Sequence, residues 1–127
     1  MRNRQINSAK DLEVYQMAYD LAKDIFETSK TWPREEKYSL TDQIRRSSRA
    51  VCSNLREAWA MRRYAAHFLN KLTNCDGENS ETETWLDFAR DCGWLEQANH
   101  QELARKCRSI GGMLESMIKN PQPFLLN

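Results

Sequence analysis

Six arginines fall within residues 40–63, at positions 45, 46, 49, 56, 62 and 63, against Asp42 and Glu57, for a net charge of +4. On a helix, Arg45, Arg49, Arg56 and Arg63 share one stripe, with Cys52 and Trp59 between them. A guanidinium fork matches phosphate oxygens, and an indole offers a flat stacking face, so the stripe is candidate chemistry for RNA or DNA. The competing reading is a contact with acidic residues of another copy of the chain. Residues 74–96 could supply them, since they hold seven carboxylates against Arg90, a net charge of −6. Opposite faces on one chain are what a head-to-tail ring uses. Part of the stripe is therefore assigned to a subunit contact, and what remains exposed to nucleic acid.

Other reactive side chains lack the company that catalysis or metal binding needs. Cys52, Cys75, Cys92 and Cys107 lie 23, 17 and 15 residues apart without a C-x-x-C pair, and His67 and His100 cannot form H-x-x-x-H. Four buried, reduced, metal-free thiols are expected. The stretch NCDGENSETETW, residues 74–85, carries Asp76, Glu78, Glu81 and Glu83. Carboxylates alone suit Mg²⁺ or Ca²⁺, but on a regular helix these four do not converge, and EF-hand spacing is absent. The Glu-x-x-His motif of a di-iron bundle is absent too. With no recognisable Ser/His/Asp set, H-E-x-x-H or P-loop, a non-enzymatic protein without metal or cofactor is expected. His67 and His100 are expected at the surface or its boundary.

The elements that must position these residues are helices. A chain of 127 residues suits one domain, and four Gly, three Pro and 29% charged residues read as helical composition. The net charge of +1 creates no global field. No apolar run is long enough to span a membrane, and MRNRQINSAKDLEVY lacks a signal-peptide core, so a cytoplasmic protein is expected. Ser8 and Asp11 form a capping box ahead of an apolar stripe at Leu12, Tyr15, Ala18, Leu21/Ala22 and Ile25/Phe26, giving a first helix over 10–29. Trp32-Pro33 ends it, and PREE is read as a single turn. A second helix runs over 40–62, a third over 64–92 and a fourth over 99–119. Gly93 is the left-handed residue after the third, and Asn99 with Glu102 is a capping box for the fourth. Residues 120–127 form an extended, apolar tail. Four such helices with short links predict an all-α, antiparallel up-down four-helix bundle in one domain.

Residues 74–85 resemble a linker in composition but keep helical phase. Leu72, Cys75, Asn79, Thr82, Leu86 and Ala89 follow one another at three- and four-residue spacing, so one continuous helix through Gly77 is expected. Gly77 costs about 1 kcal/mol there relative to Ala, and close approach by another helix is the expected compensation. Helix 2 carries a matching polar stripe. If helices 2 and 3 turn at Arg63/Tyr64, then Arg46 faces Glu81, Gln43 faces Thr84, Asn54 faces Thr73 and Glu57 faces Asn70. A buried polar seam of Gln43, Arg46, Asn54, Glu57, Glu81 and Thr84 is predicted. Breaking one partner of its charged pair, Arg46–Glu81, should cost roughly 3–5 kcal/mol. Arg46→Ala should then destabilise more than Arg45→Ala, which sits on the outer stripe where surface charges contribute little.

KDLEVYQMAYDLAKDIF, WPREEKYSLTDQIRRSSRAVCSNLREA and GENSETETWL together resemble the family of small four-helix-bundle proteins encoded in 23S rRNA intervening sequences. The resemblance rests on Asp11, Leu12, Val14, Tyr15 and Ala18, then Pro33, Glu35, Glu36, Leu40, Gln43 and Arg46, then Asn54 and Glu57, then Gly77, Glu81 and Thr84. It covers nearly the whole chain in order. Ala58 replaces the Gly after N-x-x-E, Glu78 the Ser after Gly77, and Val51–Cys52 an Ile–Pro, which bears on any family-typical kink in helix 2 and not on the fold. The accessory variability determinant of diversity-generating retroelements, a basic pentamer that partners a reverse transcriptase and binds nucleic acid, is similar to the same family. The resemblance implies a homopentameric bundle without known catalysis. Sequence physics points to a cyclic homo-oligomer on separate grounds: the segregated charge, an exposed Trp59 and the apolar QPFLLN tail. The expected partners are other copies of the chain, RNA or DNA, or a protein scaffolded by the ring.

Overall fold

The apolar stripes do close into a four-helix bundle. A computed structural model describes residues 5–126, and the helices among them are α1 (Glu13–Thr28), α2 (Asp42–Ala60), α3 (Ala65–Asp91) and α4 (Gln97–Lys119), with no strand. Asn127 of the expected tail and the first four residues of the basic N-terminal stretch lie outside the described residues. Each helix packs on the next, and α4 closes back on α1. Leu21 and Ile25 of α1, Ile44 and Leu55 of α2, Phe68, Leu72 and Leu86 of α3, and Ile110 and Leu114 of α4 form the centre of one core. None of the helices is long and apolar enough to cross a membrane.

Helix α3 runs unbroken through Gly77, as its phase predicts. Its buried face includes two polar residues, Asn79 and Thr82, and each finds a partner on a neighbouring helix. Thr82 shares a 2.8 Å hydrogen bond with the buried Ser47 hydroxyl of α2. Asn79 Nδ2 donates to the Cys107 carbonyl of α4 at 2.8 Å. Polar side chains are tolerated in the core when they are bonded in this way. The compensation expected for Gly77 is absent, since a Cβ built there would meet nothing within 4 Å. The residue is exposed, beside a notch formed by Asn54, Thr73 and Asn74.

Three helix starts differ from expectation. The Ser8–Asp11 capping box forms, but it caps a separate 3-10 turn, Ala9–Asp11, because Leu12 is extended and turned into the core. α1 proper begins at Glu13. PREE makes the expected turn (Arg34–Glu36), which passes into a π turn, Lys37–Thr41, ahead of α2. Glu36 organises that entry: it accepts bonds from Ser39 Oγ at 2.7 Å and from Trp94 Nε1 at 3.1 Å, tying α2 to the α3–α4 link. Asn99 does not cap α4. Gly93 takes φ +87°, and Trp94 N–H bonds to the Ala89 carbonyl at 2.9 Å, which reverses the chain so tightly that α4 starts earlier, at Gln97. Glu102 pairs with Arg105 at 2.8 Å instead.

The tail is neither extended nor free. Gln122–Phe124 forms a 3-10 turn, Phe124 stacks on Phe68 with ring centroids 6.3 Å apart, and Leu126 N–H bonds to the Arg62 carbonyl at 3.1 Å. Phe124 and Leu125 finish the core at the α2–α3 turn, while the Leu126 side chain is exposed.

Candidate nucleic-acid interface

The arginine stripe divides. Arg45, Arg49 and Arg56 lie along the groove between α1 and α2, whereas Arg63 is exposed in the link beyond α2. Trp59 is not exposed. It is half-buried against the core, with the Arg62 guanidinium 3.6 Å from its ring centre and Arg62 Nε donating to its carbonyl at 2.8 Å.

The other wall of the groove comes from α1. Tyr15, Tyr19, Ala22 and Phe26 recur at three- and four-residue spacing or its multiples, so they share one face beside the core stripe. With Cys52 and Ser53 of α2 they line a trough of about 780 Å³, rimmed by Lys23, Arg49 and Arg56. At one end it shares Tyr15, Tyr19 and Arg56 with a depression bordered by Lys10. At the other it shares Phe26, Arg49 and Ser53 with one bordered by Arg45 and Arg46. The three form a single track along the bundle.

The rings position the cations. The guanidinium carbons of Arg45 and Arg49 lie 4.6 Å and 5.4 Å from the Phe26 ring centre, and that of Arg56 lies 5.9 Å from Tyr15. Lys23 Nζ is 5.7 Å from the Tyr19 ring centre. Arg45 is further anchored by Nε donating to Ser29 Oγ at 2.8 Å and Nη2 to the Phe26 carbonyl at 3.4 Å, at the C-terminal end of α1. Arg49 and Arg56 form no ion pair among the described residues. Of the carboxylates that line the track, Glu27 pairs with Lys30 at 3.1 Å and Glu57 with Lys71 at 2.6 Å, while Asp20 borders the end beside Arg56 and Asp42 the end beside Arg45 and Arg46. Cys52 on the floor is buried, and loss of hydration pushes its thiol up to about 11, so it is not poised as a thiolate. The arrangement can hold anionic groups along its rim and planar or apolar groups on its floor.

The predicted seam is real at one pair but is not buried. Arg46 Nη2 meets Glu81 at 3.0 Å and Nη1 meets Glu78 at 3.6 Å, with the Arg46 and Glu81 side chains 51% and 46% exposed. Gln43 bonds Arg46 rather than Thr84, and Thr84 bonds its own helix at the Ser80 carbonyl. Asn54 and Thr73 likewise bond backbone carbonyls of their own helices, and Glu57 takes Lys71 rather than Asn70. The buried polar contact lies one step inward, at Ser47–Thr82. Of the four predicted facing pairs only Arg46–Glu81 is seen among the described residues, and the rotation of the stripe places its charged members at the rim, where long side chains keep their hydration.

Much of the acidic segment is matched within the chain. Besides the Arg46 pairs, Glu83 meets Arg108 at 3.5 Å, Asp91 meets Arg90 at 2.9 Å and Asp87 meets His100 at 2.7 Å. His100 is buried, with Asp87 as its partner, rather than lying at the surface or its boundary, while His67 is exposed beside Tyr64. Of the four thiols, Cys92 is exposed, and only Cys52, Cys75 and Cys107 are buried as expected.

Residues 10–116 match the model of the 23S rRNA-intervening sequence protein family. A crystal structure of a protein with unknown function from the S23 ribosomal protein family of Bacteroides thetaiotaomicron is 28% identical, with a TM-score of 0.76, over 84% of this chain and 96% of that one. No curated protein matches. The ordered motifs, the continuous polar-centred α3 and the four-helix fold thus agree with the match over most of the chain, which belongs to the 23S rRNA-intervening sequence protein family.

Proposed function

We propose that the chain acts without catalysis, as a cytoplasmic nucleic-acid-binding bundle whose α1–α2 track takes the phosphate backbone. The observation that carries this is the pair Arg49 and Arg56, held over aromatic rings and free of carboxylate partners among the described residues. A guanidinium stacked on a ring keeps its N–H edge for a phosphate at little ordering cost. The working assembly is a cyclic homo-oligomer, five subunits being what the family resemblance implies. Trp59, Phe124 and Leu125 of the tail and many of the α3 carboxylates are used inside the chain, so the support left for assembly is the exposed Tyr38, Tyr64, Phe88 and Leu126. Those same residues favour the second reading, a ring that scaffolds a protein partner with no nucleic-acid contact.

The test is the salt dependence of binding to RNA and DNA. If about four cations contact phosphates, log K for a single strand should fall with log salt at a slope of about −3. The double charge reversal Arg49→Glu/Arg56→Glu should abolish binding. Light scattering on the same variant reports whether these arginines also serve assembly. No binding of any nucleic acid at low salt would leave the scaffolding reading.

A further inference from the structure

Resting on the nucleic-acid reading, we infer that the α1–α2 trough recognises single-stranded rather than duplex nucleic acid, receiving an unpaired base on the exposed Tyr19 ring of its wall. Phosphate recognition alone requires only a charged surface. This surface is a groove with a largely apolar lining: Tyr15, Ala22 and Cys52 are buried and Phe26 is half-buried, whereas Arg49 and Arg56 are exposed. A duplex keeps its bases stacked inside and offers a groove of this kind nothing but its backbone. A single strand can lay phosphates along the cationic rim and turn bases inward, which is how sequence-tolerant single-strand sites combine charge with aromatic platforms.

Three features of the trough fit that occupant. From Tyr15 to Phe26 the α1 wall extends ~16 Å, room for about five nucleotides at the ~3.4 Å spacing of a stacked strand. Tyr19 stands in the middle of this wall with 51% of its surface exposed, whereas Tyr15 beside it is buried. The rings of Tyr15 and Tyr19 lie 26° from parallel with centroids 6.0 Å apart, so the inner ring backs the outer one as a platform. The cations alternate with the rings, with Lys10 and Arg56 near Tyr15, Lys23 near Tyr19, and Arg45 and Arg49 at Phe26, and with Arg46 they outnumber the carboxylates of the track, Asp20, Glu27, Asp42 and Glu57, by six to four.

The experiment compares three fluorescent probes, oligo-U, oligo-dT and a DNA hairpin duplex, by anisotropy with the full chain. The variants are Tyr19→Ala, Tyr19→Phe and Arg49→Gln/Arg56→Gln. Tyr19 is half exposed, so its replacement leaves the core intact. The wild type should bind at least one single strand more tightly than the duplex. Tyr19→Ala should weaken single-strand binding about tenfold and leave duplex binding unchanged. Tyr19→Phe should restore it, and the arginine variant should weaken all probes. The oligo-U and oligo-dT arms tell RNA from DNA, and preference for either supports the inference. Equal binding of duplex and single strands, or an unchanged Tyr19→Ala, overturns it while the nucleic-acid reading stands. If no probe binds at low salt, both fall, and direct binding of a fluorescent acidic amphipathic peptide, lost in Tyr19→Ala, would assign the trough to a protein partner.

Discussion

Arg45→Ala should destabilise the bundle more than Arg46→Ala, the reverse of the ranking that the sequence suggests. Arg45 donates to the buried Ser29 hydroxyl at 2.8 Å, lies 4.6 Å from the Phe26 ring centre and sits over the last carbonyls of α1. A hydrogen bond from a charged donor contributes about 1.5 kcal/mol. The cation–ring contact adds about 0.5–1 kcal/mol, and a cation at a helix C-terminus about 0.3–1 kcal/mol. Arg45 is half-buried, so water offsets part of each, and about 2 kcal/mol remains. For a domain of this size that lowers Tm by about 6–8 °C. Arg46 is 51% exposed, and an ion pair of that kind contributes about 0–1 kcal/mol, or less than about 4 °C. Thermal denaturation of both variants by circular dichroism measures the two losses. A double-mutant cycle with Ser29→Ala isolates the cross-helix bond, with an expected coupling of about 1 kcal/mol. Equal melting temperatures, or a larger loss for Arg46→Ala, would refute the assignment of Arg45 as the staple between α1 and α2.

Gly77→Ala should raise Tm by about 2–4 °C, because the site is open and helical, and Ala is favoured over Gly by about 1 kcal/mol; a lower Tm, or loss of oligomer mass, would place a neighbouring subunit against this face. A thiol reagent at pH 8 should label Cys92 alone in the native protein and all four cysteines after unfolding. Burial holds Cys75 and Cys107 up at about 12 and Cys52 at about 11, from 9.0, so the unfolded thiols ionise first and stability should drop as pH rises from 9.0 through those values. The Glu36 carboxylate is held below its ordinary 4.5, first by the Ser39 hydroxyl and then by the Trp94 indole. Its stabilisation is complete above the unfolded pKa and is lost as pH falls through the lowered folded value, so Glu36→Gln should flatten the fall of Tm below pH 4.5.

Periodicity made the bundle legible, including its least obvious part. Cys75, Asn79, Thr82 and Leu86 kept phase through a stretch whose composition suggests a loop, and all four are buried. The Arg46–Glu81 pairing between α2 and α3 followed from one turn position. What periodicity could not show is how far each polar stripe rotates from the core: the Arg46 face came out at the rim, and Ser47, one residue on, made the buried bond. Helix starts failed for a related reason. Capping residues at Ser8 and Asn99 were judged by local pattern, but the burial of Leu12 and the reversal at Gly93 decided where α1 and α4 begin. Half of the trough is not legible in the sequence, where Tyr15 and Phe26 belong to the apolar stripe of the first helix and Tyr19 carries no signal; only the packing of α1 on α2 brings them beside Arg49 and Arg56. Trp59 and the tail looked available for a partner because a one-dimensional reading cannot see Arg62 and Phe68 covering them.

The α2–α3 pair carries a kinetic consequence. Its two helices are joined by residues 61–64 alone, and Arg46–Glu81, Ser47–Thr82 and Lys71–Glu57 all join residues close in a hairpin sense, whereas α1 and α4 meet across nearly the whole length of the chain. Loop closure therefore favours this hairpin as the folding nucleus, with docking of α1 and α4 following. The polar bonds select its register early, since a slip by one turn would leave the Ser47 and Thr82 hydroxyls without each other in an apolar core. Substitutions at Ser47 or Thr82 should then act mainly on the folding rate, and substitutions at the α1–α4 contact mainly on the unfolding rate.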